Sequence, residues 1–120
     1  MQPMKTERKR KMVNDTLKGL YEVVKQRQEN PQEGSYTCYL FDKGLDKILK
    51  KCGEECSEMI IAAKNLDNVE LKNEISDLVY HVLVLMAERD LSLEEVDEVL
   101  EERRKKIGNL KQFHVSDHNT

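Results

Sequence analysis

The chain has 120 residues, of which 36% are charged, and its formal net charge is −3. This length is enough for one domain with a modest hydrophobic core. The small net charge of mixed sign leaves no large basic surface, which argues against nucleic acid as a partner. Five glycines, two prolines and no tryptophan favour long helices over a sheet with many turns. We therefore expect a single all-α domain over residues 1–120.

No stretch of the sequence is long and apolar enough to span a bilayer, and the first residues lack the apolar core of a signal peptide. These features predict a cytoplasmic protein. The three cysteines lack the histidine or cysteine partners that a four-ligand structural zinc site requires. Cys52 and Cys56 fall on the apolar side of a predicted helix, and we interpret them as small core residues.

Periodic apolar residues, caps and helix breakers divide the chain into four predicted helices. Their expected ranges are 13–30, 42–64, 67–89 and 92–108. Asp42 is the predicted N-cap of the second helix, although a short helical turn can begin at Ser35. Ser92 and Glu95 form a capping box for the fourth helix. Residues 1–12 are assigned to a solvated helix end or a mobile tail, and residues 111–120 to a mobile tail.

Acidic residues recur at mirrored distances from the turn between the second and third helices. In an antiparallel hairpin, a residue of one helix lies level with the residue of the other helix that is equally far from the turn. The residue numbers of such pairs add up to the same total. Three pairs share one such sum: Glu58 with Glu74, Glu55 with Asp77, and Lys51 with His81. The two acidic clusters are therefore predicted to face each other.

The apolar residues predict which sides of these helices are buried. In the second helix an apolar stripe from Leu45 to Ala63 predicts a core side, and Glu55 lies at its border. In the third helix Val84 and Leu85 extend the apolar surface almost all the way round. A helix that is apolar on all sides is buried on all sides. The hairpin therefore needs further helices, or a second copy of the chain, to cover it.

Four carboxylates on adjacent helices repel one another unless a cation lies between them. Acidic residues three positions apart share one side of a helix, so each helix can offer two oxygen ligands. Such ligands suit Mg²⁺ or Mn²⁺, and magnesium often completes its shell with substrate phosphates. The pattern indicates metal-assisted hydrolysis of a phosphoanhydride. The alternative is that these charges only form the solvated faces of amphipathic helices.

The same residues carry a resemblance to a known family. Glu54-Glu55-x-x-Glu58 followed by Glu74-x-x-Asp77 resembles the signature of the all-α nucleoside triphosphate pyrophosphatases, the MazG-like superfamily. Within that superfamily, the flanking segments resemble the phosphoribosyl-ATP pyrophosphatase family of histidine biosynthesis. These segments are Gly34-Ser35-Tyr36-Thr37, Ile61-Ala62-Ala63-Lys64-Asn65 and Asp77-Leu78-x-Tyr80-His81. The resemblance covers about residues 13–107.

This resemblance implies a homodimer of helical bundles that cleaves phosphoribosyl-ATP between its α and β phosphates in the presence of Mg²⁺. The products would be phosphoribosyl-AMP and pyrophosphate, in the second step of histidine biosynthesis. The resemblance implies that Glu54 orients or deprotonates the attacking water. It also implies four metal ligands: Glu55, Glu58, Glu74 and Asp77.

A polyanionic substrate requires cations along its path. The predicted substrate-binding residues are Lys51, Lys64, Asn65 and Arg104. A guanidinium binds phosphate through two hydrogen bonds, although an ordinary surface charge is the alternative for each basic residue. His81 is interpreted either as a phosphate or metal ligand or as a structural imidazole. Tyr36 and Thr37 are candidates for the ribose or adenine pocket.

Three alternative functions remain at this point. The nearest is a nucleotide pyrophosphatase of the same scaffold that acts on canonical or damaged triphosphates. A di-iron or di-manganese bundle would usually need two Glu-x-x-His pairs. In the helical core only His81 is available, and no glutamate lies three residues before it. A structural helical adaptor would show no specific response to Mg²⁺.

Overall fold

A computed structural model describes residues 2–106, with side chains from residue 15 onwards. This part of the chain contains only helices: α1 (Gln2–Glu29), α2 (Tyr36–Lys43), α3 (Leu45–Lys64), α4 (Asn68–Glu88) and α5 (Leu93–Lys106). The prediction of an all-α fold is therefore confirmed. No helix in the described part combines the length and the hydropathy that crossing a membrane would require.

The first helix begins before Val13, where the apolar pattern starts. Helix α1 includes residues 2–12, which agrees with the alternative of a helix end and not with that of a mobile tail. Pro3 lies in the first turn, where the missing N–H of proline costs no intrahelical hydrogen bond. The helix ends at Glu29, before Pro31, as expected. The second predicted tail, residues 111–120, lies outside the described residues.

The connection before α3 contains a helix of its own. Ser35 is the N-cap of α2, and its Oγ accepts a hydrogen bond of 3.2 Å from the backbone N–H of Cys38. Asp42 lies inside α2, so its prediction as the N-cap of the following helix is wrong. Gly44 separates α2 from α3, and its φ is 92°. Residues with a Cβ rarely adopt this backbone conformation. The alternative of a helical turn starting at Ser35 is confirmed.

The core lies where the first four helices meet. Its fully buried side chains are Val24 of α1, Leu40 of α2, Ile48 of α3, and Val84 and Ala87 of α4. Helix α3 packs most extensively against α4, and α1 also lies on α4. Helix α4 is therefore central in the described part of the chain, which explains why the sequence around Val84 is apolar on nearly all sides.

Helix α5 begins with the predicted capping box. The backbone N–H of Glu95 donates to Ser92 Oγ at 3.1 Å, and the N–H of Ser92 donates to Glu95 Oε2 at 3.3 Å. The preceding turn is attached to α1 because the Tyr21 hydroxyl donates to the carbonyl of Leu91 at 2.6 Å. No side chain of α5 is buried. Val99 and Leu100 of this helix are 51% and 59% exposed in the single chain.

The apolar stripe predicted for α3 is only partly buried. Leu49 and Ile60 are 46% and 59% exposed, whereas Glu55 is only 7% exposed. The helix is therefore rotated about its axis relative to the prediction, so that the border of the stripe faces α4. Periodicity identifies an apolar side, but the neighbouring helices determine which residues of that side they cover. This rotation brings a carboxylate into the hairpin.

Candidate metal centre between helices α3 and α4

The turn between α3 and α4 is short and is defined by backbone hydrogen bonds. Leu66 adopts a φ of 57°, its N–H donates to Ala63, and the N–H of Asp67 donates to Ala62. This is the pattern of a Schellman motif at the end of α3. Asp67 also starts α4, since its Oδ1 accepts from the N–H of Glu70 at 3.0 Å. Asp67 therefore takes part in the hydrogen bonds that end α3 and also caps the start of α4. This sets the register of the two helices.

This register brings three carboxylates together. Single oxygens of Glu55, Glu58 and Glu74 all lie within 4.8 Å of one another. We call these three residues the carboxylate trio. Oε2 of Glu55 and Oε2 of Glu74 are shielded from solvent, and when all three carboxylates are ionised neither oxygen accepts a hydrogen bond from a described residue. Buried oxygens without a partner are energetically costly, and a bound cation would satisfy them.

The proximity of these carboxylates changes their proton affinity. The pKa of Glu74 is raised to about 8, first because its protonated form hydrogen-bonds to Glu58. Desolvation, a hydrogen bond to Glu55 and the negative charges of both neighbours raise it further. Without a cation, the trio therefore retains a proton near neutral pH. A divalent cation would displace that proton and be bound by the carboxylate oxygens of the trio, which are the type of ligand that Mg²⁺ prefers.

The other two predicted acidic residues are not part of the trio. Glu54 is about half-exposed, and its Oε1 lies 3.7 Å from the ammonium group of Lys51. Asp77 is exposed and lies one turn further along α4 than Glu74. The described carboxylates that converge on one point therefore include three of the four predicted ligands. The assignment of Asp77 as a ligand stays a prediction.

A buried histidine connects the trio to α2. His81 is 5% exposed, and its Nδ1 lies 2.8 Å from the carbonyl oxygen of Asp77. Because a carbonyl only accepts, Nδ1 donates this hydrogen bond, and in the neutral imidazole Nε2 accepts from the Tyr36 hydroxyl at 3.1 Å. The same Nδ1 lies 4.0 Å from Oε1 of Glu55. The imidazole thus holds the start of α2 beside the carboxylates, as the structural interpretation of His81 expects.

The predicted substrate-binding residues occupy different places. Asn65 lines a hollow of about 200 Å³ together with Glu58 and Glu74 of the trio. Lys64 is exposed in the last turn of α3. Arg104 lies on α5, and its guanidinium binds Glu101 of the same helix. The described chain therefore brings Asn65 to the trio and places Lys51 beside Glu54, whereas Arg104 is engaged elsewhere.

Comparison with known proteins decides the family. The family model described as phosphoribosyl-ATP pyrophosphohydrolase matches residues 17–104. The chain belongs to this family. A phosphoribosyl-ATP pyrophosphatase of Clostridium botulinum strain Hall is 54% identical over 98 residues, which cover 82% of this chain and 89% of the relative.

Two further members of the phosphoribosyl-ATP pyrophosphohydrolase family support the assignment. A phosphoribosyl-ATP pyrophosphatase of Listeria welshimeri is 59% identical over 97 residues, or 81% of this chain and 89% of the relative. A protein of the same name from Streptococcus sanguinis is 51% identical over 102 residues, or 85% of this chain and 98% of the relative. The resemblance inferred from the acidic and flanking motifs is therefore confirmed.

Some features of this family member were not visible in the sequence. Tyr80 lies beside the site, and its hydroxyl forms a short hydrogen bond with Oγ1 of Thr37. Tyr36 packs against both Tyr80 and Tyr39. The hydrogen bonds from Thr37 to Tyr80 and from Tyr36 to His81 join α2 to α4 across more than 40 positions in the chain. No local spacing signals them, although the Ser-Tyr-Thr segment was already part of the resemblance.

Proposed function

We propose that this protein hydrolyses phosphoribosyl-ATP between its α and β phosphates, giving phosphoribosyl-AMP and pyrophosphate, as in the second step of histidine biosynthesis. The observation that carries the proposal is the carboxylate trio with its two unpartnered oxygens, in a chain of this family. The proposal includes a cytoplasmic location. It includes no nucleic acid partner, in keeping with the net charge of −3.

The proposed metal ligands are Glu55, Glu58 and Glu74, together with Asp77. The residues present fit a hard divalent cation, because every donor is a carboxylate oxygen and two of those oxygens lack any other partner. We propose Mg²⁺, with Mn²⁺ as a substitute. When bound, such an ion neutralises charge on the phosphates and lowers the pKa of a coordinated water.

The protein side chains would position the water and accept its proton. In the proposed reaction, the oxygen of a water molecule forms a bond to phosphorus, the bridging phosphoanhydride bond breaks, and pyrophosphate leaves. One proton of the water must be accepted. We propose Glu54 for this role, because it adjoins the trio without belonging to it and its carboxylate is accessible. Lys51, 3.7 Å away, would hold that carboxylate in place and offer a cation to the substrate.

The remaining substrate contacts are proposed from charge and position. Asn65 would donate its amide N–H groups to a phosphate in the hollow that it lines with Glu58 and Glu74. Lys64 would add a positive charge at the end of the same helix. Arg104 would have to leave Glu101 to reach a phosphate, within its own chain or in a second copy. Its role is supported only by the chemistry of guanidinium and phosphate.

We propose further that the functional unit is a homodimer. The proposal is supported by large apolar side chains that are exposed in the single chain. Those on α3, α4 and α5 include Leu49, Ile60, Ile61, Val82, Val99 and Leu100. Sedimentation equilibrium should give twice the chain mass of 14.0 kDa. A monomer at the concentration of the activity assay would contradict the homodimer.

The proposed activity is tested by incubating the purified protein with phosphoribosyl-ATP and Mg²⁺, with and without a chelator. We expect phosphoribosyl-AMP and pyrophosphate in equal amounts, and we expect the chelator to abolish both. ATP and other ordinary triphosphates serve as competing substrates. Faster turnover of those triphosphates would favour a general nucleotide pyrophosphatase. A folded protein without activity on any of them would overturn the proposed function.

A further inference from the structure

Two exposed tyrosines and two lysines form a patch beside the carboxylate trio. The rings of Tyr36 and Tyr39 stack with their centroids 6.0 Å apart and their planes at 24°. The ammonium groups of Lys43 and Lys47 lie 5.8 Å and 6.0 Å from the centroid of the Tyr39 ring. We call these four residues the tyrosine–lysine patch. It combines an aromatic surface with two positive charges at one edge.

The two lysines converge because of the break between α2 and α3. Lys43 ends α2 and Lys47 lies in the first turn of α3, and Gly44 sets the angle between the helices. Within residues 15–106, neither ammonium has a carboxylate oxygen within 4.0 Å. Asp42 and Asp46 are close in sequence, yet they do not neutralise the lysines in this way. Two unpaired ammonium groups around one ring favour an anionic ligand.

The patch is continuous with the trio. Lys47, Lys51, Glu55 and Glu58 follow one another at spacings of four, four and three residues, so they lie along one side of α3. At a rise of about 1.5 Å per residue, the backbone positions of Lys47 and Glu55 are roughly 12 Å apart along the helix. Tyr36 connects the two ends. Its ring stacks on Tyr39, which lies beside Lys47. Its hydroxyl binds His81, whose imidazole lies 4.0 Å from Glu55.

The substrate of the proposed function has a matching distribution of charge. Phosphoribosyl-ATP carries a triphosphate on one ribose and a single phosphate on a second ribose, with the purine between the two sugars. The trio and its cation would take the triphosphate. The second phosphate then needs a separate cationic site, at a distance that a purine and its two riboses can span. The tyrosine–lysine patch offers positive charge and an aromatic surface on the same side of α3, with Lys47 roughly 12 Å from Glu55 along the helix.

We propose that the tyrosine–lysine patch binds the phosphoribosyl end of the substrate. Lys43 and Lys47 hold the second phosphate, and the exposed rings of Tyr36 and Tyr39 pack against the purine or its second ribose. The inference rests on the proposed function and adds a basis for specificity. ATP lacks the phosphoribosyl group and the single phosphate that this group carries. The patch therefore favours phosphoribosyl-ATP over ATP.

The first test measures binding without turnover. Calorimetric titration with phosphoribosyl-AMP and with AMP, both with Mg²⁺ present, compares ligands that differ by the phosphoribosyl group. We expect the wild-type protein to bind phosphoribosyl-AMP at least about tenfold more tightly, as charge-assisted hydrogen bonds to one phosphate allow. The double variant Lys43→Gln/Lys47→Gln should lose this preference and keep its affinity for AMP within about twofold.

The matched control is Lys18→Gln/Lys72→Gln, which removes two lysines on α1 and α4 that are exposed and lie outside the patch. This variant should keep the wild-type preference. The inference is overturned if the wild-type protein does not distinguish the two ligands. It is also overturned if the patch variant, folded by circular dichroism, keeps the preference or if the control loses it.

The second test measures turnover. The patch variant should raise KM for phosphoribosyl-ATP about tenfold or more and change kcat by less than about threefold, because the lysines bind a part of the substrate that does not react. An unchanged KM would overturn the inference and leave the proposed function intact. If the wild-type protein fails to hydrolyse phosphoribosyl-ATP while still preferring phosphoribosyl-AMP in the titration, the proposed function fails and the patch stands as a phosphoribosyl-binding site.

Discussion

Replacement of Glu58 by glutamine is expected to lower Mg²⁺-dependent turnover of phosphoribosyl-ATP by roughly 100-fold or more, because a metal ion contributes several kcal/mol to such a reaction. Glu58 belongs to the carboxylate trio and borders the hollow beside it. A glutamine of the same shape removes the negative charge and keeps the helical position. The measurement is kcat/KM over a range of Mg²⁺ concentrations, which also reports any loss of metal affinity.

The matched control for this variant is Glu22→Gln. Glu22 is exposed on α1 and lies outside both the trio and the hollow. Its replacement removes the same charge away from the site, so we expect activity within about threefold of wild type. Full activity of Glu58→Gln, with its fold intact by circular dichroism, would contradict the proposed metal site. Equal losses in both variants would indicate a general effect of surface charge.

The second expected result is that the metal-free protein loses stability as the pH rises. In the folded protein the surrounding carboxylates raise the pKa of Glu74 from the ordinary glutamate value of 4.5 to about 8. Between these two values the folded state binds more protons than the unfolded state, so the free energy of unfolding falls with increasing pH. The contribution of Glu74 is fully present below pH 4.5 and is lost as the pH passes through about 8.

Thermal unfolding with a chelator at pH 6, 7, 8 and 9 measures this dependence. Glu74→Gln should make the curve flatter, because the amide cannot ionise, and the difference between the two proteins isolates Glu74 from other titrating groups. The hairpin also offers Glu70→Gln as a control that should retain the wild-type slope. A wild-type slope no steeper than that of Glu74→Gln would show that the trio does not retain a proton in the folded protein.

Mg²⁺ should reverse this loss of stability. A ligand that binds only the folded state adds about 2.7 kcal/mol to the free energy of unfolding when its concentration is 100 times its Kd. The cation competes with the proton on the trio, so its affinity should increase with pH up to about 8. The stabilisation by a given Mg²⁺ concentration should therefore be larger at pH 8 than at pH 6.

Local sequence signals correctly predicted those helix ends that a cap or a turn defines directly. Ser92 and Glu95 cap α5 as expected, and the polar turn after Lys64 leads to a helix that starts at Asn68. Such signals work because a cap satisfies backbone groups within a few residues of itself. The prediction of Asp42 as an N-cap was wrong because other residues nearby determine the helix ends. Ser35 and Gly44 are stronger local signals, and they divide the segment into two helices.

The sequence also predicted that acidic residues of α3 and α4 face each other, because a short turn between antiparallel helices fixes their register. By itself it therefore determined the all-α fold, the hairpin and the family to which the chain belongs. It did not determine that Glu55 is buried while Leu49 and Ile60 are exposed. Periodicity defines the sides of one helix, and the rotation of that helix depends on its neighbours.

Only the tertiary structure decided which groups meet across long stretches of chain. Three carboxylates converge without Asp77, and Tyr36 binds a histidine 45 positions away. Lys43 and Lys47 converge on Tyr39 because Gly44 sets the angle between two helices. These contacts depend on how the helices pack and rotate relative to one another. That packing is a property of the whole core, whereas caps and turns depend on a few neighbouring residues.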